Sequence, residues 1–271
     1  MLSTGRQPLP FRYPGGKHYA IDILRPFWTS LAHDEYREPF AGGGSVFFNK
    51  TKVASNWLND IDSELITTYE VLRDPKQRNK LVKLVGDEIA SKERWREVYD
   101  WKPRGKLQKA FRYYYLNRTS FNGKLVSAAW GYRPKRSLPP ERWHERILPC
   151  GEKLENVRIT SEDFSEVISA PSSTDSPVLI FADPPYYSPP KRKHYRNGFS
   201  EEDHFRLMES LSKTNHKFFL TYDDVPAVRS LYKWGNIYPV KFFYRVDNSN
   251  IQKGSRRLGF EIVVTNYEVK M

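Results

Sequence analysis

Ala182-Asp183-Pro184-Pro185-Tyr186 is the segment of this sequence best equipped for chemistry. Consecutive prolines fix φ and remove two N–H donors, so the turn is stiff. Asp183 offers one hydrogen-bond acceptor, the Pro184 carbonyl another, and Tyr186 a flat face. That set suits an exocyclic amine on an aromatic base. Such an amine is a weak nucleophile because its lone pair is delocalised into the ring. Acceptors on its two N–H bonds favour a pyramidal, electron-rich nitrogen in the transition state, while stacking holds the ring. No metal, cysteine or serine nucleophile is required. The plain alternative is a proline-rich turn that caps a strand.

A second cluster is Glu38-Pro39-Phe40-Ala41-Gly42-Gly43-Gly44-Ser45. Glycines between a strand and a helix let the backbone reach positive φ and approach a ligand closely. The helix start behind them favours negative charge. Phe47 stands where a dinucleotide fingerprint needs its third glycine, which argues against a nicotinamide site. Asp60 follows at the end of the next strand, where a carboxylate can accept both ribose hydroxyls of an adenosine ligand. The alternative is a glycine turn with a surface acid. Tyr13-Pro14-Gly15-Gly16-Lys17 also ends in Gly-Gly-Lys, but it lacks the spacing of a triphosphate loop. Lys17 is placed to pair with a carboxylate, or is a surface lysine beside a tight turn. The six histidines show no metal-ligand spacing, and no metal is expected.

These groups need a scaffold that brings strand ends together. Residues 35–40 and 53–59 read as strands, and 45–50 and 63–72 as helices. Strands are expected again at 156–160, 177–182, 217–222, 239–244 and 261–266, with helices at 201–212 and 225–233. The continuous apolar run at 177–182 marks a central strand buried on both faces. The pattern predicts an α/β fold, a Rossmann-like doubly wound sheet. Its catalytic domain comprises residues 1–72 and 151–271, with a mainly helical, basic lobe inserted at 73–150. Within 101–146 lie twelve Lys and Arg against two Glu, and nine aromatics.

The whole chain has 271 residues, 39% hydrophobic and 15% aromatic, which excludes a largely disordered protein. Its net charge of +12 favours a polyanionic partner, most often nucleic acid. The lone cysteine, Cys150, excludes an internal disulfide and a cysteine-rich zinc site. No apolar run has membrane length, and the N-terminus has no signal-peptide core, so a cytoplasmic protein is expected.

Eight segments, in order, resemble the S-adenosylmethionine-dependent DNA adenine-N6 methyltransferases, most closely their Dam-like branch. They are FRYPGGK (11–17), REPFAGGGSVFFN (37–49), NDIDSELITTY (59–69), YYYLNRTSFNG (113–123), ITSEDFSEVI (159–168), ADPPYY (182–187), FSEEDHFRLMESL (199–211) and GFEIVVTNY (259–267). The resemblance implies that Tyr13 and Lys17 contact the cofactor, Lys17 at its carboxylate. It implies that Phe40, Gly42 and Gly44 wall the cofactor pocket, that Asp60 holds the ribose, and that Asp163 and Phe164 meet the adenine ring. Asp183 lies between methyl donor and target amine, within the catalytic set Asp183, Pro184, Pro185 and Tyr186, and Tyr186 stacks on an extruded adenine. The implied reaction is direct methyl transfer to N6 of a base flipped out of duplex DNA.

One segment departs from the family pattern. GKLVSAAWGYRPKRSLPP (123–140) does not follow the hairpin of GATC-reading relatives, so a GATC target is not expected. Base or phosphate contacts are assigned to Arg118, Asn122, Lys124, Arg133, Lys135 and Arg136. Two further basic loops, with Lys191, Arg192 and Lys193, and with Arg256 and Arg257, are candidate DNA contacts. The resemblance also implies a monomer or weak dimer, in a bacterial cell or phage-encoded, with a cognate restriction endonuclease as a candidate partner. Two rival readings stand beside this one: an RNA-base methyltransferase, and an inactive relative that only binds DNA.

Overall fold

In a computed structural model, residues 7–173, 175–187, 198–243 and 258–270 are described. Five strands run parallel: β1 (Glu35–Glu38), β2 (Ser55–Asn59), β3 (Arg158–Thr160), β4 (Val178–Ala182) and β5 (Lys217–Asp223). An antiparallel pair, β6 (Asn236–Phe243) and β7 (Leu258–Thr265), completes a seven-stranded sheet of order β3-β2-β1-β4-β5-β7-β6. Among the described residues the helices are α1 (Ile21–Thr29), α2 (Ser45–Asn49), α3 (Ser63–Arg73), α4 (Pro75–Gly86), α5 (Lys92–Asp100), α6 (Lys106–Thr119), α7 (His144–Leu154), α8 (Phe164–Ser169), α9 (Glu201–Lys213) and α10 (Pro226–Leu231). None is long and apolar enough to cross a membrane.

β4 is buried along its whole length, as its unbroken apolar run requires. Val178, Ile180 and Ala182 pack with Phe164, Ile168, Leu207 and Leu211 of α8 and α9, and with Val228 of α10. Leu179 and Phe181 point the other way, into a larger cluster with α1, α3, α6 and α7. The sheet is therefore covered on both faces, which is the doubly wound class expected from the sequence.

Strand order turns around beside β1. The chain steps outward from β1 to β2 and β3, then returns to place β4 against the other side of β1, with Glu35 opposite Val178 and Arg37 opposite Ile180. At such a switch point the loops leaving the two strands diverge and open a crevice at their carboxyl ends. Here those loops are the glycine turn after Glu38 and the Asp-Pro-Pro corner after Ala182.

Helices α4 to α7 occupy the stretch between α3 and β3. Part of their aromatic content turns inward, while Tyr99, Trp101 and Phe121 stay exposed. Tyr113, Tyr114 and Tyr115 on α6, with Trp143 before α7, are buried beside Phe11. Arg78 is buried against Glu155 and the Leu72 carbonyl, Arg118 lines a cavity, and the buried rings join the core shared with the sheet.

Several boundaries differ from the expected ones. β6 begins at Asn236 and contains Pro239 opposite Ile262, which an edge strand tolerates because its outer side forms no ladder. α10 is confined to six residues by Pro226 at its start. α1 buries Ile21, Leu24, Phe27 and Trp28, which recur at helical spacing, and contains Pro26.

Candidate active site

Gly42 and Gly44 take positive φ, 46° and 64°. A Cβ on Gly42 would stand 2.9 Å from Cε1 of Tyr13, and one on Gly44 2.7 Å from Cε2 of Phe48. The turn needs glycine here for both conformation and space. The Gly42 amide donates to Asp60 Oδ2 (2.8 Å), and the Tyr69 hydroxyl donates to the Gly42 carbonyl (2.8 Å). Asp60 Oδ1 accepts the Asp62 amide at 2.9 Å. Burial pushes the Asp60 carboxyl up to about 6, against these two amides. Asn59 stitches the strand ends together: its Nδ2 donates to the Pro39 and Glu162 carbonyls, and its Oδ1 accepts Thr160 Oγ1 and the Glu162 amide.

One end of the crevice is aromatic. The rings of Phe40 and Phe164 lie 5.3 Å apart, and each is 5.8 Å from Phe199. Asp163 caps α8 through the Ser165 amide and pairs with Arg206, whose guanidinium lies 5.0 Å from the Phe164 ring. Phe199 was missed in the sequence reading, although its position was legible. It precedes the Ser200–Asp203 capping box of α9 and packs on His204 one turn later, the signature of a hydrophobic staple.

At the other end, Asp183 is held through one oxygen. Its Oδ1 accepts Lys17 Nζ (2.5 Å) and Thr221 Oγ1 (2.7 Å). Its Oδ2 takes no hydrogen bond from any described residue, and Asp183 lines the crevice. The Tyr187 amide donates to Asp223 Oδ1 (3.0 Å), pinning the corner from the far side. Tyr186 lies with its ring 4.9 Å from the Lys17 ammonium and near Tyr222. Lys17, which the resemblance places at a cofactor carboxylate, lines the cleft, pairs with Asp183 and is 2% exposed. Thr221 was also missed, because a threonine inside the run 217–222 looks like any strand residue. Only the β4–β5 pairing, with Ala182 opposite Leu220, brings it to Asp183.

A single cleft collects Tyr13, Lys17, Phe40, Gly42, Asp60, Asp163, Phe164, Asp183 and Pro185 from the sequence-derived set. Gly44, Pro184 and Tyr186 do not line it. They shape the two turns that border it.

Tyr13, Gly16 and Ser45 are shared with a second cavity, of about 720 Å³, on the other side of the N-terminal segment. Arg118, Lys135 and Arg136 meet there, together with Arg12, Arg142 and Arg146, and no carboxylate among the described residues lines it. Arg118 is 7% exposed, its Nε has no partner, and burial followed by repulsion from Arg146 holds its pKa below the usual value. Asn122, Lys124 and Arg133 lie outside this cavity. Asn122 sits in a left-handed turn at φ 53°, and Arg133 is exposed. Lys191, Arg192, Lys193, Arg256 and Arg257 fall outside the described residues.

The doubly wound α/β sheet brings its glycine turn and its acidic proline corner together at the switch point, where folds of this class bind their ligands. The chain belongs to the D12 class N6 adenine-specific DNA methyltransferase family, which it matches over residues 13–246. Along nearly its full length it is similar to two type II methyltransferases. One is M1.LlaDCHI of Lactococcus lactis subsp. cremoris, 26% identical over 95% of each chain. The other is M.CviBI of Paramecium bursaria Chlorella virus NC1A, 27% identical over 96% of this chain and 97% of the relative. It is also similar to the DNA adenine methylase of Escherichia coli K12, 23% identical over 85% of this chain and 86% of that one. The protein is an enzyme that methylates adenine in DNA at N6. The RNA-base and inactive readings are not favoured.

Proposed function

We propose that the crevice binds S-adenosylmethionine and that Asp183 and Tyr186 present a flipped adenine to it. The cofactor, when bound, supplies an electrophilic methyl group on sulfonium. The residues present fit it: Asp60 for the ribose hydroxyls, and the Phe40, Phe164 and Phe199 rings for the adenine. The glycine turn gives the closest backbone approach.

The carrying observation is the asymmetry of Asp183. Lys17 and Thr221 both load Oδ1, and Oδ2 of this cleft-lining residue takes no hydrogen bond from any described residue. Oδ2 accepts one N6 hydrogen and the Pro184 carbonyl the other, which keeps the nitrogen lone pair directed at the methyl. Tyr186 stacks on the base. The adenine leaves the duplex at a cost of about a few kcal/mol, which phosphate contacts offset. The cavity of Arg12, Arg118, Lys135, Arg136 and Arg146 holds backbone phosphates. Residues 73–150 act as the target-recognition domain, with Asn122, Lys124 and Arg133 on its exposed turns reading bases or adjacent phosphates. Residues 123–140 specify a site other than GATC. The enzyme works as a monomer or weak dimer in the cytoplasm, with a cognate endonuclease as its restriction partner.

Asp183→Ala tests this reading. The variant should fold, bind cofactor within a few-fold of wild type and transfer no labelled methyl to duplex DNA. Retained turnover refutes the assignment. Sequencing of N6-methyladenine in cells expressing the wild type gives the target site.

A further inference from the structure

The side-chain amide of Asn117 joins three parts of the molecule with different roles. It sits near the end of α6 and is 1% exposed. Its Oδ1 accepts the Arg12 amide at 2.9 Å, and its Nδ2 donates to the Arg12 carbonyl at 2.8 Å and to the Gly123 carbonyl at 3.1 Å. One planar amide thus holds both backbone groups of Arg12, as a neighbouring strand would. Gly123 closes the Phe-Asn-Gly turn and lies between Asn122 and Lys124. It approaches Arg12 so closely that a Cβ there would stand 2.4 Å from the Arg12 carbonyl oxygen, and its φ is 70°.

From Arg12 the chain reaches the catalytic corner by a short, stiff route. Tyr13-Pro14-Gly15-Gly16 is a tight turn, with Gly15 at φ 77° and the Gly16 amide donating to the Tyr13 carbonyl at 3.1 Å. Proline second and a positive-φ glycine third are the type II pattern. Lys17 follows at once, and its Nζ donates to Asp183 Oδ1. Tyr13 is itself wedged against the cofactor turn: a Cβ on Gly43 would stand 2.8 Å from Tyr13 Cβ. The path from Asn122 to Asp183 therefore runs through one amide, one rigid turn and one ion pair. We propose that Asn117 is the positioning residue that fixes the recognition turn relative to Asp183. A base step that misfits the turn then shifts Arg12 and, through the stiff turn, Lys17, and the acceptor at Asp183 loses its alignment with the flipped adenine. Asn117 is buried and lines neither cavity, so it acts through Arg12 and Gly123. The inference deepens the function proposed above and rests on its reading of Asp183 and of residues 73–150.

Single-turnover methyl transfer by the full chain, at saturating cofactor and duplex, tests this. Two duplexes are compared: the target site defined by sequencing N6-methyladenine, and the same site with one neighbouring base pair changed. Asn117→Ala removes all three bonds. Gly123→Ala drives a Cβ into the Arg12 carbonyl at positive φ and opens the same joint from the other side. In each variant the rate on the target site should fall about tenfold or more. The ratio of the two rates should also fall, by about fivefold, because a loose joint no longer passes misreading on to Asp183. A residue that only stabilises the fold would lower the melting temperature and leave that ratio unmoved. A wild-type rate or a wild-type ratio in either folded variant overturns the inference, and Gly123→Ala decides it where Asn117→Ala does not fold. Asp183→Ala separates the two readings. If it retains turnover, the function proposed above fails and this inference with it. If it is inactive while the joint variants keep the wild-type rate and ratio, this inference alone fails.

Discussion

Replacing Arg118 by methionine should make this protein more stable and a poorer DNA binder. Arg118 sits near the end of α6, 7% exposed, with its Nε unpartnered and Arg12 and Arg146 lining the same cavity. Burying a charge without a counter-charge costs several kcal/mol in the limit. The guanidinium opens onto a water-accessible cavity, so about 1–2 kcal/mol is the reasonable scale. Methionine has similar length, favours helix and carries no charge. At about 2–4 °C per kcal/mol for a chain of this size, the melting temperature should rise by about 2–8 °C. The same substitution removes one phosphate-neutralising charge. Affinity for duplex DNA should fall about uniformly across sequences, and the slope of log K against log salt should become shallower by about 1. Thermal melts and fluorescence anisotropy over a salt series measure both. A lower melting temperature with unaltered DNA affinity and salt slope would refute the reasoning, because Arg118 would then be a packed structural residue and not a buried cation awaiting phosphate.

Three further outcomes are expected. Thr221→Val keeps shape and strand preference but removes the 2.7 Å bond to Asp183 Oδ1, so kcat should drop about tenfold with KM within about twofold; steady-state kinetics with unchanged kcat would exclude a positioning role. Gly42→Ala forces a Cβ against Tyr13 at positive φ and should weaken cofactor binding by about tenfold or more, read by calorimetry. Glu38 is buried and its carboxyl is pushed up to about 8, chiefly by desolvation. Its folded pKa lies above its unfolded one, so the stability it contributes is full below about 4.5 and lost as pH rises towards about 8. Melting temperature should therefore fall over that range in wild type, and Glu38→Gln should flatten the fall. A profile unaltered by the substitution would show that another group governs it.

Some of this protein was legible without coordinates because the information was local. Stiff prolines, glycines with positive φ and a continuous apolar strand announce themselves through backbone sterics and burial, so Asp183–Tyr186, Gly42–Gly44 and β4 could be read directly. So could the doubly wound class, from alternating strand and helix patterns around a basic insertion. Phe199 was legible too, through its staple, but only if the helix cap is given weight.

The rest depended on which strands became neighbours. Nothing in the order of the chain states that β1 and β4, far apart in sequence, lie side by side, or that the loops leaving them share one crevice. Thr221 is an unremarked strand residue until β5 flanks the corner that holds Asp183. Lys17 has several plausible partners in the sequence; packing chose Asp183. Composition located the positive charge, but folding decided that Phe111, Tyr113, Tyr114, Tyr115 and Trp143 go to the core and that Arg12, Arg118 and Arg146, from distant segments, meet with no acid among the described residues lining their cavity. The physical reason is range. Backbone conformation and amphipathic period are set within a few residues, whereas charge balance and hydrogen-bond partnership are properties of space, and only the packed sheet assigns neighbours in space.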